Sequence, residues 1–207
     1  TEAADNEYRH AARLFLQLLP AVQRSGNDSL AFFIQLKSGL IHHYFDSLEP
    51  AKNLYLDALT HRNKIRIVDS FFFKPSLFTG NILYRQDKLD SAILYLRRAE
   101  QLNLQFGGKL DGSERLYNLF GVVHYETGNY RQAIIYFEKA LALLSEQNPS
   151  EKSLRANYKI NIGSTLLKIE EYDAAKKIFE EVLSYNVFNN ELYHKLGLIH
   201  LREKDFS

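Results

Sequence analysis

Apolar and aromatic residues return three and four positions apart along most of the chain, with polar residues on the intervening faces, which is the period of amphipathic helices. The clearest stretch runs Tyr117-Asn-Leu-Phe120-Gly121-Val-Val-His124, then Gly128-Asn-Tyr130-Arg-Gln-Ala133-Ile-Ile-Tyr-Phe137-Glu-Lys-Ala140. Phe120, His124, Phe137 and Ala140 fall at helical spacing and predict an apolar seam between two antiparallel helices. Gly128-Asn129 is the expected turn, because glycine accepts the left-handed backbone that ends a helix. The pattern predicts an all-α chain of about ten helices.

The unit recurs. Glycine stands at Gly39, Gly80, Gly121, Gly163 and Gly197, and in the first four cases an alanine follows twelve positions later, at Ala51, Ala92, Ala133 and Ala175. Small residues at that interval mark the place where the paired helices cross closely. Successive glycines are 41, 41, 42 and 34 positions apart, while the glycine-to-alanine interval is constant. Extra residues therefore fall between one unit and the next, and each helix is expected to lengthen by about one turn with a short loop. The expected organisation is a single array: the second helix of a truncated repeat in 1–27, repeats in 28–68, 69–109, 110–150 and 151–188, and the first helix of another in 189–207. An array open at both ends is expected to be a piece of a longer one, and end-to-end self-association follows from its uncovered helices.

An aromatic residue, an apolar residue before glycine, a bulky residue three later and then Ala-x-x-x-Phe resembles the tetratricopeptide repeat (TPR) family in its long-period variety. Gly163 with Ile162, Leu166, Tyr172, Ala175 and Phe179 repeats the frame; so do Gly80 with Leu83, Leu89, Ala92, Leu96 and Ala99, and Gly39 with His42, Ala51, Tyr55 and Ala58. Departures are the absence of tryptophan, Gln35, Ser76 or Lys159 in the place of Tyr117, and a turn glycine kept only at Gly128. The resemblance implies a right-handed α-solenoid of antiparallel helix pairs that binds protein. An alternative it leaves open is a regulatory or sensor arm of a larger enzyme, such as a CHAT-type peptidase, or of a peptide-sensing transcription regulator.

Net charge is +1, from 26 basic and 25 acidic residues, so no bulk field favours nucleic acid or an anionic membrane, and neither is an expected partner. Cysteine is absent, which excludes thiolate chemistry; a cytoplasmic location is the expectation. His42, His124 and His200 each follow a unit glycine by three positions and are expected to be packed; His10 and His61 are isolated. Gly107-Gly108 lacks the Lys-Ser/Thr of a phosphate loop. No catalytic residues, metal ligands or cofactor are expected, and the chain is not expected to be an enzyme.

The resemblance also implies that first helices line a groove. Its positions carry the candidate partner-binding residues Lys37, Lys74, Asn81, Tyr84, Arg85, Arg115, Asn118, Tyr125, Asn157, Asn161 and Lys195. With Lys168, Arg202, Glu126 and Glu191 included, seven basic residues stand against two acidic ones. Cations hold carboxylates and asparagine amides bond both peptide groups, so an acidic or C-terminal peptide segment is the expected partner. Of the five positions of the two-carboxylate clamp that some family members use for chaperone tails, only Asn161 and Lys195 fit, while Val122 and Glu191 depart.

Overall fold

A computed structural model describes residues 2–185 and 190–205, and within them the chain forms ten α-helices, two short 3-10 turns and no strand. The helices divide between two compact units, Thr1–Leu110 and Asp111–Ser207. The first holds α1 (Glu2–Arg24), α2 (Asp28–Tyr44), α3 (Leu48–Thr60), α4 (Phe73–Arg85) and α5 (Leu89–Gln105). The second holds α6 (Ser113–Glu126), α7 (Tyr130–Leu141), α8 (Lys152–Lys168), α9 (Tyr172–Ser184) and α10 (Asn190–Asp205). The pairs α2–α3, α4–α5, α6–α7 and α8–α9 are antiparallel hairpins in contact along their length. The array is an α-solenoid of such pairs. The boundary expected at 188/189 lies outside the described residues.

Each hairpin closes on the small residues. Ala51, Ala92, Ala133 and Ala175 are fully buried. Opposite the glycine of each of the four hairpins lies the residue sixteen positions later: Tyr55 against Gly39, Leu96 against Gly80, Phe137 against Gly121 and Phe179 against Gly163. At Gly80 an added Cβ would also come 3.2 Å from the carbonyl oxygen of Ala92, so the two small residues do meet. Burying one large side chain per hairpin against the opposite backbone supplies the apolar burial that holds the pair together.

The turns keep one geometry with different residues. The position seven after the unit glycine has positive φ in all four hairpins: Asp46 (56°), Asp87 (59°), Gly128 (75°) and Glu170 (65°). In each, the following N–H donates to a carbonyl five residues back, as Ser47 does to His42 and Glu171 to Leu166, and the left-handed residue donates to the carbonyl three back. These paired bonds satisfy the last carbonyls of the first helix, the Schellman arrangement. The turn is therefore conserved in shape where the glycine is not.

The connections between hairpins differ from the expected pair of lengthened helices. Extra length is taken up as helix in α5 and α8, of 17 residues each, but not in α3 or α7, of 13 and 12. After α3 the chain runs through residues 61–68 into a 3-10 turn at Asp69–Phe72, and after α7 through residues 142–148 into Pro149–Glu151. Pro149 lacks the N–H that would continue a helix, and it disfavours helical backbone at Asn148. The Asn148 side chain accepts from the Ser150 N–H to start the new turn. Arg155, buried, folds back onto this connection and donates to the Leu144 carbonyl (3.1 Å) and to Glu146 (3.0 Å).

In the first unit successive hairpins are joined by Phe32–Phe72 ring contact at 4.9 Å, an Asp46–Arg85 ion pair at 2.8 Å, and Gln86, which donates to Glu49 at 2.7 Å and accepts from Lys52. In the second unit Ala156, Ile160, Ala175, Phe179, Val182, Leu192, Leu196 and Ile199 form one cluster through α8, α9 and α10. Two hydroxyls interrupt the pattern: Ser38 and Thr79 stand where α6 has Phe120, are fully buried, and have oxygens with no hydrogen-bond partner.

Candidate functional site

All eleven candidate residues lie on first helices, α2 and α4 in one unit and α6, α8 and α10 in the other. In the first unit Lys37 is exposed, Lys74, Asn81 and Tyr84 are half-buried, and Arg85 is held by Asp46. That ion pair keeps the Asp46 carboxyl below the usual carboxylate range, chiefly through the hydrogen bond from Arg85. In the second unit Arg115 sits 3.5 Å from Glu114, and Asn157 is exposed.

The second unit gathers the rest. Tyr125, Glu126 and Val122 of α6, Phe137 of α7, Asn161 and Ser164 of α8, and Glu191 and Lys195 of α10 line a cleft of about 160 Å³. Asn161 donates to the Asn118 side-chain oxygen at 2.9 Å, linking α8 to α6. That bond uses one amide hydrogen of Asn161 and the carbonyl of Asn118, so the Asn161 oxygen and the Asn118 NH₂ remain as an acceptor and a donor. Lys195 pairs with Glu191 at 3.2 Å. Burial raises the Tyr125 hydroxyl pKa, and Tyr130, Glu126 and Glu191 raise it further. The hydroxyl is thus a neutral donor and acceptor across the physiological range.

The surplus of positive charge expected on these faces is smaller in the structure. Asp46, from a turn, and Glu114, from a neighbouring position on α6, stand outside the counted positions yet meet Arg85 and Arg115. The cleft itself holds two carboxylates and one ammonium.

Other polar contacts are absent from the sequence reading. His61, which looks isolated along the chain, is buried and bonds Asp28 at 2.9 Å. Glu181 pairs with Lys159 and accepts from the Tyr185 hydroxyl at 3.1 Å, and these contacts lower its pKa, with Lys159 the largest cause. Both partnerships join residues more than twenty positions apart, or link a motif position to an outer face, and no local pattern encodes them. Of the histidines expected to be packed, His124 stacks on Tyr136 at 5.2 Å and His42 is half-buried, whereas His200 is exposed. Among the described residues no group of three or more His, Asp or Glu could hold a metal, and no helix is long and apolar enough to cross a membrane.

A family model described as tetratricopeptide repeat matches residues 77–146 and 113–185, which together span more than half of the chain. The chain belongs to the tetratricopeptide repeat family. This TPR chain is 27% identical over 130 residues to the anaphase-promoting complex subunit CDC16 of Saccharomyces cerevisiae (strain ATCC 204508 / S288c), a match covering 63% of the chain but only 14% of that subunit. Its fold is similar to that of BtubC (BKLC) from P. vanneervenii, with a TM-score of 0.73, 18% identity, and coverage of 89% of this chain and 75% of that one. It is also similar to YrrB, described as a TPR protein with an unusual peptide-binding site, with a TM-score of 0.61, 18% identity, and coverage of 93% and 84%. TPR proteins of this kind are interaction scaffolds.

Proposed function

We propose that this TPR chain is a protein-interaction scaffold whose first-helix faces hold an extended segment of a partner polypeptide. The observation that carries the reading is the cleft of the second unit. Four helices converge there, and its polar groups suit a peptide backbone, with Asn161 oxygen to accept a peptide N–H and Tyr125 to donate or accept; Asn118, outside the lining, holds the Asn161 amide in place through its hydrogen bond. Val122 and Phe137 give an adjoining side chain an apolar floor. The acidic or C-terminal part of the segment is assigned to the cations of the first-helix positions, Lys37, Lys74 and Arg85 in the first unit and Arg115 in the second, where a carboxylate gains charge-assisted bonds. Solenoids spread affinity over several units, so no single residue is expected to account for capture.

Selection from a displayed library of random peptides, followed by fluorescence polarisation of the enriched sequences, tests this. Enriched peptides should carry Asp, Glu or a free C-terminus. Replacing Lys74, Arg85 and Arg115 together with Glu should abolish their binding and leave the far-UV circular dichroism unchanged. Undiminished binding by the triple variant would refute the charge assignment, and undiminished binding by an Asn118→Ala/Asn161→Ala variant would refute the cleft.

A further inference from the structure

A second cavity lies off the first-helix face, between α1 and α2 of the first unit. It measures about 320 Å³ and is lined by Arg9, Ala12, Arg13 and Leu16 of α1 and by Ile41, His42, Phe45 and Ser47 at the end of α2. None of the eleven groove candidates borders it. Its origin is visible by comparison with the other junctions. Counting from the repeat alanine, Ala12 corresponds to Ile134 of α7, which packs against the Ala133–Phe137–Ile162 cluster, and to Lys52 of α3, which bonds Gln86. At α1 the alanine is too short to reach across, and the space stays open.

The rim is cationic. Arg9 and Arg13 are one helical turn apart on the same face. The Arg9 guanidinium lies over the Phe45 ring at 4.0 Å, and neither arginine has a carboxylate partner among the described residues. Of the acids near these arginines, Glu7 is exposed and does not line the cavity, Asp5 accepts from Tyr44, and Asp46 pairs with Arg85. No acidic residue lines the cavity, in contrast to the cleft of the second unit.

We propose that this cavity is a binding site for the C-terminal residue of a partner polypeptide, with an aliphatic or aromatic side chain in the pocket and the terminal carboxylate between Arg9 and Arg13. An apolar group and a carboxylate must arrive together within a few ångströms, and a C-terminal residue carries both on one α-carbon. The volume stands at the small end of the roughly 300–1,000 Å³ of ligand pockets, which suits one side chain and excludes a folded element. Ala12, Leu16, Ile41 and Phe45 supply the apolar wall, and two guanidinium groups supply the fork geometry that carboxylates bind best.

The test uses the 207-residue chain, methyl-labelled, titrated with acetyl-Gly-Ser-Ala-Phe-Leu bearing either a free carboxylate or a C-terminal amide. The acid should shift the Ala12, Leu16 and Ile41 methyl resonances saturably, and the amide should bind about tenfold more weakly or worse. Arg13→Gln should bring the acid down to the level of the amide. Ala12→Ile, which installs the residue that α7 carries, should abolish both titrations with circular dichroism unchanged. Equal binding of acid and amide, or binding retained in Ala12→Ile, would overturn the site. Shifts confined to the Val122 methyls would move the carboxylate to the cleft of the second unit and equally overturn it, and octanoate binding as tightly as the peptide would overturn the polypeptide assignment. Because the cavity shares no residue with the first-helix faces, its failure leaves the groove reading standing.

Discussion

The ring of Phe137 lies so close to the α-carbon of Gly121 that a methyl group on that carbon would come within 2.5 Å of the ring atoms Cδ1 and Cε1. Both residues are almost wholly buried, so the ring can retreat only toward the cleft it borders. Gly121→Ala is expected to cost about 1–3 kcal/mol through overpacking, which exceeds the ~1 kcal/mol alanine gains as a helix former. At Gly197 an added Cβ meets no atom within 4 Å, and Gly197→Ala should stabilise by that same ~1 kcal/mol. Urea midpoints of the two variants should therefore move in opposite directions, and Phe137→Leu should recover part of the loss at Gly121.

That contact explains why the fold was readable. Glycine and the bulky residue sixteen later interlock within one hairpin, so the signal is local and repeats along the chain. The turns were read less completely. The sequence marks only Gly128 as a left-handed position, yet Asp46, Asp87 and Glu170 adopt the same backbone. Tertiary packing of the hairpins sets the turn there and overrides the preference of the residue. The candidate site was legible as a set of positions and illegible as a charge distribution. Asp46 reaches Arg85 from a turn thirty-nine residues away in sequence, and counting along first helices cannot register it. The cavity beside Ala12 was invisible for a related reason: it is a missing side chain, and an alanine on a helix face carries no signal of what it fails to fill.

Glu170 offers a direct test of the turn. It is exposed, holds φ at 65°, and has no side-chain bond among the described contacts. A left-handed non-glycine residue costs about 1–2 kcal/mol. Glu170→Gly should recover roughly 1 kcal/mol of that strain, seen as a higher midpoint in urea. Asp46→Gly should gain less, because Arg85 loses its partner.

Thr79 carries a hydroxyl that is buried without a hydrogen-bond partner. Thr79→Val keeps the shape and removes the unsatisfied group, whose burial costs about 1–3 kcal/mol. Thermal unfolding should show the valine variant to be the more stable. A destabilised valine variant would mean that the hydroxyl is in fact bonded.

Burial lowers the pKa of His42 below its usual value of 6.5. The folded chain therefore favours the neutral ring, while the unfolded chain takes up a proton as the pH falls through 6.5. This contribution is complete above that value and is lost on the acid side. Between about pH 7.5 and about pH 5.5 the wild type should lose more stability than His42→Gln, measured by chemical denaturation.

Arg155 closes the connection between α7 and α8 through the Leu144 carbonyl and Glu146. Arg155→Met keeps most of the aliphatic stem but frees that carbonyl, at an expected cost of about 1–3 kcal/mol. Amide hydrogen exchange should rise first in residues 142–148, ahead of the α6–α7 hairpin.

The same clasp bears on how the array tolerates changes in length. The distance along the chain from one hairpin to the next is taken up by a strap fastened with a side chain, while the rods and their crossing point stay constant. Residues added near Gln147, at the exposed crest of that strap, should change the repeat period without disturbing a single Gly–aromatic interlock. Spacing and packing are separable quantities in this chain, which leaves the crests free to acquire new surface while the stack beneath them keeps its geometry.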